Sequence, residues 1–169
     1  MEEMTTMKMK KFPNPSSSFL FNTALIYLIR TTIQYSNTSK VRFLIPSANT
    51  TYYCKGFRMP DIGGKRHMIK VEPIITPGNE MHVHHILIYR CKGINPKFDG
   101  ISYMCYDEIP KEMNPCYDVI IAWAIGGKSF YYPDHLGVSV GAPDDPDFYI
   151  METHYDNPVQ KSGDTVSFS

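Results

Sequence analysis

The stretch VHHILIYRC, at residues 83–91, indicates the fold more clearly than any other part of the chain. Its aliphatic, β-branched and aromatic side chains favour a β-strand. The turn-forming residues Pro77, Gly78 and Asn79 lie just before it, and Gly93 and Pro96 follow. We therefore predict a strand over residues 83–91, with histidines at its beginning.

Other strands are expected on both sides of this stretch, separated by turns about every ten residues. No helical period separates them, and this spacing is typical of an antiparallel sandwich or barrel. Residues 92–115 are irregular, and we expect them to cover one end of a sheet. The further predicted strands are residues 41–45, 50–54, 67–75, 119–125, 131–133, 138–140 and 148–155.

The first 40 residues differ from the rest of the chain. They combine lysines with a short apolar run at residues 19–29, which is typical of a secretion signal but too short to span a bilayer as a helix. We divide the chain into a signal-like or poorly structured segment, residues 1–40, and one domain, residues 41–169. No later segment is apolar enough to cross a membrane, and membrane association is left open.

Charge and cysteine content restrict the class of protein. The formal net charge is zero and no basic stripe is present, so a nucleic-acid partner is not expected. Four cysteines lie close together in the chain and form no C-x-x-C pair. Two disulfides and an oxidising compartment are the favoured interpretation, and four free thiols in a cytosolic protein are the alternative. Asn37 and Asn49 begin N-glycosylation sequons.

The histidines are the residues most suggestive of chemistry. His82, His84 and His85 fall within four positions, and neutral imidazole is the commonest metal ligand. Alternation along a strand pairs His82 with His84, whereas His84 and His85 point to opposite faces unless a bulge re-aims one of them. His154 shares a strand face with Ile150 and Glu152, and a lone histidine there is more often structural.

Other chemistries find no support. His67 and His135 are interpreted as polar surface or supporting groups, and no serine lies in a G-x-S-x-G turn. The Gly-Gly pairs at residues 63–64 and 126–127 lack the spacing of a phosphate loop. Redox metal chemistry is the one constellation that stands out.

Residues 83–91 also resemble the copper type II, ascorbate-dependent monooxygenases, which include the dopamine β-hydroxylase and DBH-like branch. The likeness continues, in chain order, over about residues 41–163. The other matching stretches are residues 50–54, 69–73, 77–80, 122–127 and 153–158.

The resemblance implies an eight-stranded antiparallel jelly-roll sandwich that holds one copper ion. It assigns His84, His85 and His154 as the ligands and no catalytic residue in this domain. It also implies the disulfides Cys54–Cys105 and Cys91–Cys116.

The family's activity implies a role for this domain. Ascorbate supplies electrons to this copper, which relays them to a second copper in a following domain, where dioxygen hydroxylates a small amine-type substrate. The family-like sequence ends near Gly163, so we expect the chain alone to bind one copper without hydroxylating. Location in the secretory pathway or outside the cell is expected, including a vesicle or the ER lumen, with membrane anchoring in a full-length form. A secreted copper-binding module without turnover and a metal-free jelly-roll binding domain are the alternatives.

Overall fold

The structure is a computed structural model, and it describes four ranges of the chain and the backbone of four further strands. The ranges are residues 45–73, 75, 77–107 and 109–160. The further strands are β1 (Met7–Lys10), β2 (Thr31–Ile33), β3 (Arg42–Leu44) and β12 (Thr165–Ser167). The other strands are β4 (Thr50–Arg58), β5 (Arg66–Val71), β6 (Val83–Cys91), β7 (Ser102–Met104), β8 (Cys116–Ala124), β9 (Phe130–Tyr131), β10 (Val138–Val140) and β11 (Phe148–Asp156).

Every strand pairing in the described part of the chain is antiparallel. One sheet has the order β7-β4-β11-β6-β8. The other has the order β10-β5-β1-β2, with β9 also paired to β5, while β12 and β3 pair with each other. The prediction of an all-β antiparallel sandwich is confirmed. Some strand ends differ from the prediction: β4 continues to Arg58, β5 ends at Val71 and β8 begins at Cys116. The structure also contains four short strands that were not predicted, β1, β2, β7 and β12.

Strand β11 is the centre of the larger sheet, because it lies between β4 and β6 and is buried on both faces. On one face, Phe148 and Ile150 pack into a cluster with Ile94 and Met113. On the other face, Tyr155 packs with Ile45 and Val83, and Trp123 adjoins them. A mostly apolar strand is stable in this position because both of its faces are removed from water.

Residues 92–115 cover the face of the sheet that carries Phe148 and Ile150. They contain two short 3-10 helices, Pro96–Phe98 and Lys111–Met113, and the edge strand β7. Gly56 in β4 marks how closely they approach, since a Cβ atom there would lie 2.7 Å from both Ile101 and Phe148 side-chain atoms. This position therefore requires glycine for space alone.

One disulfide connects this covering segment to the sheet, and a second joins two neighbouring strands of the sheet. Cys54 of β4 is bonded to Cys105, and Cys91 of β6 to Cys116 of β8. These are the pairs that the family resemblance implies. Each joins residues that are neighbours across the sheet or its covering, with Cα atoms 5.1 and 4.2 Å apart.

Several sequence predictions concern the ends of the chain. Of residues 1–40, the structure describes only the backbone of β1 and β2, where β1 pairs with both β2 and β5. The rest of that segment, including Asn37, lies outside the described residues, whereas Asn49 is described and exposed. No helix in the described ranges has both the length and the apolar character needed to cross a membrane.

The disulfides are expected to supply a large share of the stability of the fold. The double change Cys54→Ser and Cys105→Ser removes a crosslink between residues that are 51 positions apart in the sequence. We expect it to lower the free energy of unfolding by about 4 kcal/mol. The matching double change at Cys91 and Cys116 removes a crosslink between residues that are 25 positions apart. We expect it to lower the free energy of unfolding by about 3.5 kcal/mol. Urea unfolding measures both, with Ser102→Ala on the exposed edge of β7 as a control. A loss below about 1 kcal/mol for either pair would contradict the expectation.

Candidate metal centre

The three histidines meet at the end of the sheet where β6 begins and β11 ends. His85 lies directly opposite His154 in the ladder between these strands, yet Tyr155 lies opposite Val83. Strand β6 therefore has one more residue than β11 at this point, and that residue is His84. This is the arrangement of a β-bulge, which re-aims side chains in the bulged strand.

The bulge resolves the alternatives that simple alternation left open. Alternation favours His82 with His84, but the structure brings His84 together with His85 and His154. His82 precedes β6 and connects the strand ends instead. Its Nδ1 lies 3.1 Å from the Asp156 carbonyl oxygen, and its own carbonyl accepts a hydrogen bond from the Asp156 amide.

The ring nitrogens of the three histidines have the spacing of metal ligands. The Nδ1 of His85 lies 3.3 Å from that of His84 and 3.0 Å from that of His154. Nitrogens each about 2.0–2.1 Å from a shared ion lie roughly 2.9–3.6 Å apart at angles between square and trigonal. Three imidazoles with converging nitrogens fit a late transition metal such as copper or zinc.

The opposite edges of two rings face carboxylates. The Nε2 of His154 lies 3.1 Å from Asp156, within ion-pair range but not aligned as a hydrogen bond, and the Nε2 of His84 lies 4.0 Å from the same side chain. A carboxylate at the outer nitrogen favours the tautomer with its proton there, which leaves the inner nitrogen free to bind a metal.

Burial keeps His154 in its neutral form. The residue is 8% exposed, and its ring stacks on Tyr52 with centroids 4.4 Å apart. Desolvation lowers the pKa of His154; Asp156 acts in the opposite direction, and His85 and His84 add to the lowering. A neutral imidazole is the form that ligates metals.

The sequence did not reveal the supporting residues. Tyr52 lies opposite His154 in the ladder between β4 and β11, and Asp156 follows two positions after it. Glu152 is buried, and its Oε1 lies 3.9 Å from the Nε2 of His85. The signal available was a charged residue inside an otherwise buried strand, which seldom occurs without a partner.

Other candidate groups do not form a metal site in the described part of the chain. Glu152 also lies near Cys54 and Cys105, but the sulfurs of these two cysteines are bonded to each other. His67 lies in β5, in the other sheet, and His135 lies in an exposed turn. A cavity of about 230 Å³ between the sheets contains none of the three histidines; it is lined by Val71, Pro73, Ile120, Ile121, Ala122, Trp123, Lys128, Phe130 and Tyr132.

Comparison with known proteins identifies relatives of the chain. The DBH-like monooxygenase protein 1 of Mus musculus is 40% identical over 146 residues, which is 85% of this chain and 24% of that protein. The Gallus gallus protein of the same name is 44% identical over 121 residues, 70% of this chain and 20% of that protein. Dopamine beta-hydroxylase of Homo sapiens is 38% identical over 123 residues, 70% of this chain and 19% of that protein.

The chain thus spans about a fifth to a quarter of the length of these relatives. Residues 36–162 also match the family described as "Copper type II ascorbate-dependent monooxygenase, N-terminal domain". This match includes the bulged histidine pair, the third histidine and both disulfides. The chain belongs to the copper type II ascorbate-dependent monooxygenase family and carries its N-terminal domain.

Proposed function

We propose that His84, His85 and His154 bind one copper ion and that the domain receives electrons from ascorbate for the monooxygenase reaction. The observation that carries the proposal is the convergence of three Nδ1 atoms, with His85 Nδ1 only 3.0 and 3.3 Å from the other two. Uncharged nitrogens this close to one another repel unless a proton or a metal ion lies between them.

The protein's contribution is a fixed set of ligands. When bound, copper supplies one-electron redox chemistry. His85 and His154 are held by the backbone ladder between β6 and β11, and Tyr52 fixes the ring plane of His154 by stacking. A site built on strands holds its geometry better than one on loops. The side chain of His84 is 45% exposed, so a small reductant such as ascorbate has access to the edge of the site.

The activity of the whole enzyme is a further part of the proposal. We assign hydroxylation by O2, the second copper and the substrate pocket to a domain beyond the matched fifth to quarter of the relatives. A small amine-type substrate is proposed because one relative bears the name dopamine beta-hydroxylase. No catalytic residue is assigned to this chain.

The two disulfides of the chain also support a proposal for its cellular location. Two disulfides persist in oxidising surroundings, so we place the protein in the secretory pathway or outside the cell, including a vesicle or the ER lumen. Asn49 is exposed and available for glycosylation there. Membrane anchoring of a longer form stays a prediction.

Copper binding is tested by metal analysis of the purified chain. We expect one copper per chain, and a loss of affinity of at least about 100-fold in His154→Ala, because two imidazoles leave the ion under-coordinated. His82→Ala is the matched control, since it removes a neighbouring histidine outside the converging set. Circular dichroism verifies folding of each variant. Sub-stoichiometric copper in the unaltered chain, or equal losses in the two variants, would sink this assignment.

Electron uptake is tested on the copper-loaded chain. Ascorbate is expected to abolish the Cu(II) EPR signal, while product assays with small amines and O2 give no hydroxylated product from the chain alone. The loaded chain without ascorbate is the control. Persistence of the Cu(II) signal would exclude the electron-accepting role, and product formation would show that no second domain is required.

A further inference from the structure

Glu152 is a buried carboxylate beside the histidine cluster. It is 3% exposed, and it lies in the middle of β11 two residues before His154. No lysine or arginine of the described ranges lies within 4 Å of it. The nearest histidine nitrogen is Nε2 of His85, 3.9 Å from Oε1. That distance is too long for a hydrogen bond.

Two tyrosine hydroxyls hold the carboxylate in place. Tyr89 of β6 donates to Oε2 at 3.1 Å, and Tyr106 reaches both oxygens at 3.1 Å. Burial and then the charge of Glu152 raise the pKa of both tyrosines, and they raise the pKa of the nearby Tyr103 to about 12. The hydroxyls of Tyr89 and Tyr106 therefore keep their protons and remain hydrogen-bond donors. Two hydroxyl donors thus face the carboxylate oxygens.

The charge of Glu152 has no full counter-charge among the residues that the structure describes. Isolating an ionised carboxylate from water costs several kcal/mol, and two neutral hydroxyls offset only part of that cost. The His85 ring separates the carboxylate from the converging nitrogens, with Nε2 toward Glu152 and Nδ1 toward His84 and His154. A cation bound at those nitrogens would supply the missing positive charge through this ring.

A fixed negative charge does not act equally on the two oxidation states of copper. Its attraction for an ion is proportional to the charge of that ion, and it is strong where water is excluded. It therefore stabilises Cu(II) more than Cu(I). Asp156 also faces the site, but its side chain is 38% exposed, so solvent screens it more effectively.

We infer that Glu152 is a positioning residue that sets the preference of the histidine site for Cu(II) over Cu(I), acting across the ring of His85. This inference rests on the proposed copper site and deepens it. The carboxylate keeps the ring oriented with Nδ1 toward the ion, and its charge fixes the driving force with which the site accepts an electron.

The test is a redox titration of the copper-loaded chain, monitored by the Cu(II) EPR signal at poised potentials. Glu152→Gln keeps the shape and the tyrosine contacts but removes the charge. We expect the ratio of Cu(I) to Cu(II) affinity to rise at least about tenfold, which raises the midpoint potential by about 59 mV for a one-electron couple. Glu112→Gln, at an exposed carboxylate, is the matched control and is expected to leave the potential unchanged.

The outcomes separate this inference from the copper proposal. An unaltered chain without stoichiometric copper overturns both. Copper binding with the same potential in Glu152→Gln overturns only the role of Glu152, and a lower melting temperature of the metal-free variant would then show that the residue serves folding alone. If Glu152→Gln does not fold, Tyr106→Phe replaces it. Losing that exposed donor leaves the carboxylate less compensated and is expected to lower the potential; an unchanged or higher potential would refute the inference.

Discussion

The pairing of β6 with β11, with one extra residue in β6, is the constraint on which the site depends. A regular ladder would place His84 and His85 on opposite faces of the sheet. The ladder instead pairs His85 with His154 and Val83 with Tyr155, so His84 is left over between them. The extra residue turns adjacent side chains toward one point, while Val83 and Tyr155 on the next rung pack in the core behind it. The same bulge thus shapes both the core beside Val83 and the candidate metal site formed by the histidines.

Around this point the surroundings are layered by polarity. Tyr52 packs flat on His154, and Asp156 and Glu152 lie at the outer edges of the imidazoles. The more exposed carboxylate and the more exposed ring, Asp156 and His84, are on the solvent side. The buried carboxylate lies beneath, among tyrosines. The exposed side of the histidine cluster is thus the side open to a small molecule, while the buried side carries the second carboxylate.

The sequence predicted the architecture better than the site. Alternation and turn spacing were sufficient to predict an antiparallel sandwich, because short runs of strand-forming residues are separated by turns that carry Gly or Pro. The same alternation favoured pairing His82 with His84. The bulge that changes this could not be predicted, because it depends on the register of two strands that are far apart in sequence. The resemblance to a family supplied the set that the structure brings together. The proposed role of Glu152 could not be predicted from the sequence, because its neighbours Tyr89 and Tyr106 come from two other parts of the chain.

The Cys54–Cys105 bond has a consequence for the order in which the molecule matures. Tyr106 follows Cys105 directly, and the Cys105 amide donates to the carbonyl of Tyr52, the residue that stacks on His154. Formation of this bond positions Tyr106, a hydrogen-bond donor to Glu152, and the Tyr52 backbone next to the ring that stacks on His154. A newly made chain whose thiols are still reduced has no covalent bond that holds these groups in place. A reduced chain would therefore lack part of the structure that holds His154, the third of the proposed copper ligands.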